Sequence, residues 1–275
     1  MPAPAVSLRT VSVAEKHNLR TRGRKDGQPM LLAHGFGCDQ NMWRLLTPAF
    51  EDDYHVIVFD YVGAGESDLS AYDPERYSSL DAYAADVLEI CRELELREVI
   101  FVGHSVSAMI GALAAIEEPD RFAKLVMLGP SPRYINDEGY LGGFSSEDIG
   151  EMLDSLDSNY LGWSSAMAPM IMGNPDRPEL GAELTASFCR TDPAIARQFA
   201  QVTFLSDNRA DLARIKTPTI VLQCDDDVIA PIAVGEFVRA AIPNSTLVML
   251  KATGHCPHLS APDQTIHAIS DFLHT

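Results

Sequence analysis

A serine, an aspartate and a histidine each follow an apolar segment of this sequence, and together they have the types needed for nucleophilic chemistry. Ser105 lies within Gly103-His104-Ser105-Val106-Ser107, between an apolar run that predicts a strand and a run that predicts a helix. A sharp strand-to-helix turn of this kind strains the backbone and exposes the serine hydroxyl. The motif alone is weak evidence, because an ordinary βα turn can carry the same residues.

The second member is an acid that follows the apolar run 219–223. Three adjacent acids, Asp225, Asp226 and Asp227, stand there, and Pro231 begins the next predicted helix. In the hydrolase pattern that this arrangement resembles, the triad acid lies four residues before such a proline, which selects Asp227. We expect Asp225 and Asp226 to be solvated loop acids.

The third member is His255, which follows Gly254 in the loop beyond the last predicted strand, 246–250. In this chain order a histidine at that place acts as the general base and takes the proton of Ser105 as its hydroxyl attacks an acyl carbon. Asp227 then fixes the imidazole tautomer and stabilises the imidazolium. Most single histidines are surface or core residues, but Ser105 and Asp227 predict the position of this one.

Two backbone N–H groups are predicted to stabilise the negative oxygen of the tetrahedral intermediate. One belongs to Val106, directly after the serine, and the other to Phe36 in the loop His34-Gly35-Phe36-Gly37. Glycines on both sides of Phe36 let its N–H turn towards the site. The alternative is a tight glycine turn without a catalytic role.

The elements that must position these residues alternate between strands and helices. Such alternation predicts the α/β class, with a mostly parallel sheet flanked by helices. Strands are predicted at 29–33, 55–60, 98–102 and 124–128, and helices at 41–50, 80–95 and 106–117.

Four helical stretches interrupt this alternation, near 145–157, 159–172, 179–189 and 193–205. We predict that they form a lid inserted over the nucleophile. We predict that residues 1–130 and 211–275 form the α/β core and that residues 131–210 form the lid.

The predicted lid is rich in large apolar side chains that could line a substrate pocket. Periodicity does not distinguish pocket lining from lid core. A pocket of this composition favours a small hydrophobic ester or lactone. The candidates are Phe144, Met152, Trp163, Met167, Met170 and Phe204 above Ser105, with Phe36 and Val228 below.

The composition argues against several classes of partner. A formal net charge of −18 over 275 residues disfavours nucleic acids and anionic membranes. No run approaches the roughly 18 apolar residues of a membrane helix. Met1 to Thr10 has no long apolar core, so we expect no signal peptide. Five scattered cysteines suggest a reducing compartment, and we expect a cytoplasmic protein.

Two further motifs are rejected as cofactor or metal sites. Gly63-Ala64-Gly65 lacks the third glycine of a dinucleotide fingerprint. His255-Cys256-Pro257-His258 does not have a usual zinc spacing. We therefore expect no cofactor and no metal, and Cys38 and Cys256 are treated as buried packing residues.

Several segments resemble one branch of the α/β-hydrolases, which holds the bacterial stress-response regulator RsbQ and the plant receptors for strigolactones and karrikins. The likeness runs from about residue 13 to the C-terminus. It is carried by the segments 34–40, 103–111, 131–134, 142–144 and 204–207. Ser107, where the motif usually has glycine, is typical of the plant receptors. The segments 61–65 and 254–258 look closer to RsbQ.

The resemblance implies a slow serine hydrolase whose output is signalling through a protein partner. For RsbQ-like proteins that partner is a phosphatase with a PAS sensor domain. It also implies that Phe144, Trp163 and Phe204 line the pocket. The alternatives are a metabolic carboxylesterase or lactonase without a partner, which would use the same triad, and a carbon–carbon hydrolase or perhydrolase on the same scaffold.

Overall fold

The computed structural model describes residues 11–275, so the expectation about a signal peptide falls outside the described residues. Seven strands form one sheet in the order β1-β3-β2-β4-β5-β6-β7, in which only β1 is antiparallel to its neighbour. The strands are β1 Arg20–Gly23, β2 Gln28–Ala33, β3 Tyr54–Val58, β4 Val99–His104, β5 Phe122–Leu128, β6 Thr219–Asp226 and β7 Ser245–Thr253.

Helices cover both faces of the sheet, which confirms the predicted fold class. Alternate side chains of a central strand enter two apolar clusters: Leu31 packs with α2 and α3, and Leu32 packs with α10. The helices are α1 Val13–Lys16, α2 Leu80–Glu93, α3 Val106–Glu117, α4 Ser146–Ser158, α5 Tyr160–Met172, α6 Pro178–Arg190, α7 Pro193–Phe204, α8 Ile232–Ala241, α9 Pro257–Ser260 and α10 Pro262–Leu273. Within the described chain, no helix is both long and apolar enough to cross a membrane.

Two elements differ from the sequence prediction. The predicted helix 41–50 consists instead of two short 3₁₀ helices, Gln40–Trp43 and Thr47–Ala49. Pro48 explains the break, because it has no N–H and its ring clashes with the preceding turn of an α-helix. The edge strand β1 was missed, because its residues, Arg-Thr-Arg-Gly, are all exposed and carry no apolar alternation.

The four lid helices α4 to α7 lie between β5 and β6 and begin with local caps. Ser145 and Asp148 form a capping box at α4, and Asp192 accepts hydrogen bonds from the first turn of α7. The lid is tied to the sheet at the end of α5. The His255 N–H donates to the Ile171 carbonyl over 2.9 Å. The exact boundaries of core and lid, at 130 and 211, stay a prediction.

Helix α3 packs unusually close to strand β4 at Gly103. A Cβ on Gly103 would lie 2.5 Å from the carbonyl oxygen of Ser107, which is backbone that cannot move aside cheaply. We expect Gly103→Ala to reduce the free energy of unfolding by about 2 kcal/mol or more, as overpacking does elsewhere. Urea unfolding followed by circular dichroism measures it.

Gly150 offers the matched control. It lies in α4, and a Cβ built there meets nothing within 4 Å. Gly150→Ala should raise the free energy of unfolding by up to about 1 kcal/mol, because alanine favours a helix over glycine. Equal effects of the two substitutions would mean that the helix does not depend on the close approach at Gly103.

Candidate active site

Ser105 occupies the turn between β4 and α3 in a strained backbone conformation. Its φ of 58° and ψ of −125° lie in a region that residues with a side chain rarely adopt. The turn is held because the Ser105 N–H donates to the Leu128 carbonyl over 2.8 Å. This geometry sets the side chain above the carboxyl ends of the strands and next to the start of α3.

The structure brings the three predicted residues into one hydrogen-bonded chain. The Ser105 Oγ lies 2.8 Å from the His255 Nε2, and the His255 Nδ1 lies 2.7 Å from the Asp227 Oδ2. The other oxygen of Asp227 accepts hydrogen bonds from the N–H groups of Ile229, at 2.8 Å, and Ala230, at 3.1 Å. The carboxylate is thus fixed, buried and aimed at the imidazole. The chain has the form of a serine activated by a base that an acid orients.

The two other acids do not lie in a loop, which corrects the sequence prediction. β6 continues through Asp225 to Asp226, so both are strand residues with exposed side chains. Asp225 accepts a hydrogen bond from the Ala252 N–H of β7 over 3.0 Å. Pairing with β7 explains why β6 is longer than predicted. The run of acids in the sequence had suggested a loop there.

The two predicted oxyanion donors lie beside the serine. A Cβ on Gly35 would lie 3.1 Å from the Ser105 Cβ, so this loop packs directly against the nucleophile. Within residues 11–275, the N–H groups of Phe36 and Val106 donate no hydrogen bond to another protein group. Both are therefore free to donate to a developing oxyanion, and that role stays a prediction.

Ser107 holds the oxyanion loop to α3, a contact that the sequence analysis missed. Its hydroxyl donates to the His34 carbonyl over 2.5 Å and lies 2.9 Å from the Tyr61 hydroxyl. The sequence feature that could have revealed this contact is the hydroxyl of Ser107, at a position where the motif usually has glycine.

Two further buried histidines lie behind His255. The His104 Nε2 lies 2.8 Å from the His255 carbonyl and donates to it, which fixes the backbone of the base. Burial lowers the pKa of His104 well below its usual value and the pKa of His258 to about 3, so both are neutral at pH 7. The His258 ring packs against Trp43 at 4.9 Å and against His104 at 4.5 Å.

Two groups among the described residues could hold a metal ion. The donor atoms of His104, Cys256 and His258 lie within 4.8 Å of one another and are buried, and the other group is His17, Asp86 and Glu89. In the second group, however, both carboxylates bind Lys16. The expectation that the chain uses no metal stays a prediction.

A small cavity of about 30 Å³ lies at Ser105. The Phe36 ring makes edge contacts with three aromatic rings of the lid, at ring-centroid distances of 6.1 Å to Trp163, 5.7 Å to Phe188 and 5.9 Å to Phe204. The lining consists of Phe36, Cys38, His104, Ser105, Tyr134, Ile171, Leu184, Phe188, Thr203, Phe204, Ile229, His255 and Cys256.

Only part of the predicted pocket lining is correct. Phe36 and Phe204 line the cavity, whereas Trp163 is buried behind it and stacks on Phe188 at 5.6 Å. Val228 was wrong, because the loop turns it outward, 48% exposed, and Ile229 faces the cavity instead. Four more candidates are absent from the lining, since Phe144, Met152 and Met167 pack at the edge of the lid core and Met170 is exposed.

Comparisons with known proteins agree with this geometry. The model of the "Alpha/beta hydrolase family" matches residues 30–268. The chain is 40% identical to the Karrikin insensitive 2 receptor CA of Petunia hybrida, over 95% of this chain and 97% of that protein. It is 39% identical to a strigolactone esterase of Arabidopsis thaliana, over 92% and 94%. A solved hydrolase from Oleispira antarctica superposes with a TM-score of 0.93 at 42% identity, covering 96% of each chain.

The buried neutral histidines make stability depend on pH. The pKa of folded His258 lies near 3, below the usual 6.5, so its contribution is complete above about pH 6.5 and is lost as the pH falls. Below pH 6.5 the free energy of unfolding should fall by up to about 1.4 kcal/mol per pH unit for each such histidine. Urea unfolding between pH 7.5 and 4.5 measures this slope.

His258→Phe should make that slope shallower, because the unfolded chain then binds one proton fewer. His267→Gln is the control, since His267 is 80% exposed on α10 and should leave the slope unchanged. The same slope in His258→Phe as in the parent protein would contradict the assignment of His258 as a neutral core residue.

Proposed function

This chain belongs to the alpha/beta hydrolase family and is a serine ester hydrolase, and we propose that Ser105, His255 and Asp227 carry out its reaction. The observation that carries the proposal is the hydrogen-bonded chain from the Ser105 hydroxyl through His255 to Asp227. The substrate is a small hydrophobic ester, lactone or butenolide.

The proposed mechanism follows from this chain. The His255 Nε2 takes the proton of Ser105 as its oxygen attacks the acyl carbon, and Asp227 stabilises the imidazolium that forms. The N–H groups of Phe36 and Val106 bind the oxyanion of the tetrahedral intermediate. His255 then gives the proton to the leaving alcohol, and a water molecule, activated by the same base, hydrolyses the acyl-enzyme. In a lactone or butenolide the freed hydroxyl stays part of the acyl group, so the second step releases one molecule, a hydroxy acid or its carbonyl tautomer.

The substrate class rests on the lining of the cavity at Ser105. Phe36, Phe188, Phe204 and Ile229 give it mainly apolar walls. Within the lining described here, no lysine or arginine is present, so a multiply charged substrate finds no counter-charge. A small ester is larger than the 30 Å³ cavity, so its entry requires lid side chains to move.

We further propose that turnover is slow and is coupled to signalling in the cytoplasm. Two relatives that cover nearly the whole chain support this, because one is named a receptor and the other a strigolactone esterase. The small volume of the cavity fits the same role, since a ligand larger than the cavity would move lid side chains when it binds. By the resemblance to RsbQ, the partner would be a PAS-domain phosphatase in a stress response.

The alternative is a metabolic carboxylesterase or lactonase without a signalling partner. The solved protein from Oleispira antarctica, 42% identical to this chain, is named only as a hydrolase, which fits this alternative. The rate of turnover separates the two functions. A signalling role predicts slow hydrolysis of butenolide esters and a protease sensitivity of the lid that changes with ligand. A metabolic role predicts fast hydrolysis and a protease sensitivity that does not change with ligand.

The reaction is tested first at the nucleophile. Ser105→Ala should abolish hydrolysis of p-nitrophenyl acetate while circular dichroism and thermal unfolding show an intact fold. Activity that persists in the well-folded variant would overturn the mechanism.

The choice among the three acids gives a second test. Asp227→Asn should lower kcat on p-nitrophenyl acetate by about 10⁴-fold, because the amide cannot hold the imidazole in the reactive tautomer. Asp226→Asn is the matched control, since this side chain is exposed at the end of β6, and it should change kcat only slightly. If Asp226→Asn were the severe variant, the acid would be misassigned by one residue.

A further inference from the structure

Thr203 is one of the residues that line the cavity at Ser105, and its hydroxyl group has no hydrogen-bond partner in the described chain. It stands next to Phe204 at the end of α7, and both residues line the cavity at Ser105. Thr203 is 1% exposed, and its Oγ1 is buried with no hydrogen-bond partner in the described chain.

A helical hydroxyl usually bonds back to the preceding turn, and other lid hydroxyls do so. The Ser164 Oγ donates to the Tyr160 carbonyl over 2.8 Å, and the Thr185 Oγ1 donates to the Gly181 carbonyl over 2.8 Å. Thr203 does not make this bond. Its unpaired state is therefore not a general property of hydroxyls on the lid.

The neighbouring lining residues do not supply the missing partner. Two other lining groups in residues 11–275 are also unpaired, the Tyr134 hydroxyl and the His104 Nδ1. The Tyr134 ring packs against Phe204, with 5.0 Å between the ring centroids, and lines the cavity together with Ser105. The His104 Nδ1 faces Gly35, which packs against it. The other lining residues are mainly aromatic and aliphatic.

From this we infer that the Thr203 hydroxyl donates a hydrogen bond to a second oxygen of the substrate, away from the scissile carbonyl. The inference rests on the proposed ester hydrolysis at Ser105 and narrows its substrate class. A buried hydroxyl is costly when it is unpaired, and a ligand oxygen would remove that cost. The preferred substrates are esters or lactones with an ether or carbonyl oxygen in the acyl or ring part.

Matched pairs of esters test the inference. In p-nitrophenyl methoxyacetate an oxygen replaces one CH₂ of p-nitrophenyl butyrate, and p-nitrophenyl 3-methoxypropanoate is related in the same way to the pentanoate. Thr203→Val keeps the shape of the side chain and removes the hydroxyl. It should lower kcat/KM for at least one oxygen-containing ester by about five- to tenfold, which is the effect of one hydrogen bond. The kcat/KM of the matched ester with a CH₂ group in place of that oxygen should stay the same or rise.

Two control variants separate recognition from packing. Thr203→Ser should restore most of the preference for the oxygen-containing ester. Thr185→Val removes a lid hydroxyl that already has a helical partner, and it should leave the ratio within each pair unchanged.

An equal change in kcat/KM for both members of each pair, or none in either pair, would overturn the inference. The proposed function is tested separately, by Ser105→Ala. If Ser105→Ala is inactive but Thr203→Val affects both esters of each pair equally, only the role of Thr203 is refuted. An active, folded Ser105→Ala refutes the hydrolase mechanism whatever Thr203 does.

Discussion

The strained backbone at Ser105 is the constraint on which the rest of the site depends. A residue with φ of 58° between a buried strand and a helix is held only if its surroundings leave no alternative. Gly103 lets α3 approach β4, and Gly35 lets the oxyanion loop approach the serine. The hydroxyl of Ser107 then joins α3 to that loop through the His34 carbonyl. The proposed nucleophile and the proposed oxyanion donors are therefore positioned by one packed unit rather than by independent loops.

The lid is connected to this unit at two places. The His255 N–H donates to the carbonyl of Ile171 in α5, so the proposed catalytic base shares a hydrogen bond with a lid helix. The Phe36 ring, on the residue that offers an oxyanion donor, packs among the lid aromatics Phe188 and Phe204. A ligand that displaces these rings acts on the same residues that perform the chemistry. This arrangement gives a physical route from binding to a change of the lid.

The sequence predicted the residues of the chain Ser105–His255–Asp227, because parallel strands place their carboxyl ends along one edge and each residue follows such an end. It did not predict the cavity lining, since burial among lid helices depends on how they pack together and not on periodicity within one helix. Trp163 and Val228 show this, one buried behind the wall and the other turned outward. Pro48 was visible in the sequence and should have limited the predicted helix 41–50.

Covalent labelling with a fluorophosphonate tests the central claim most directly, because the reagent reacts with a serine only where a base activates it. Peptide mapping by tandem mass spectrometry should find the adduct on Ser105 alone, and His255→Ala should remove it while the protein stays folded. An adduct on a different serine, or labelling of Ser105 that persists in His255→Ala, would contradict the assignment of this residue as the activated nucleophile.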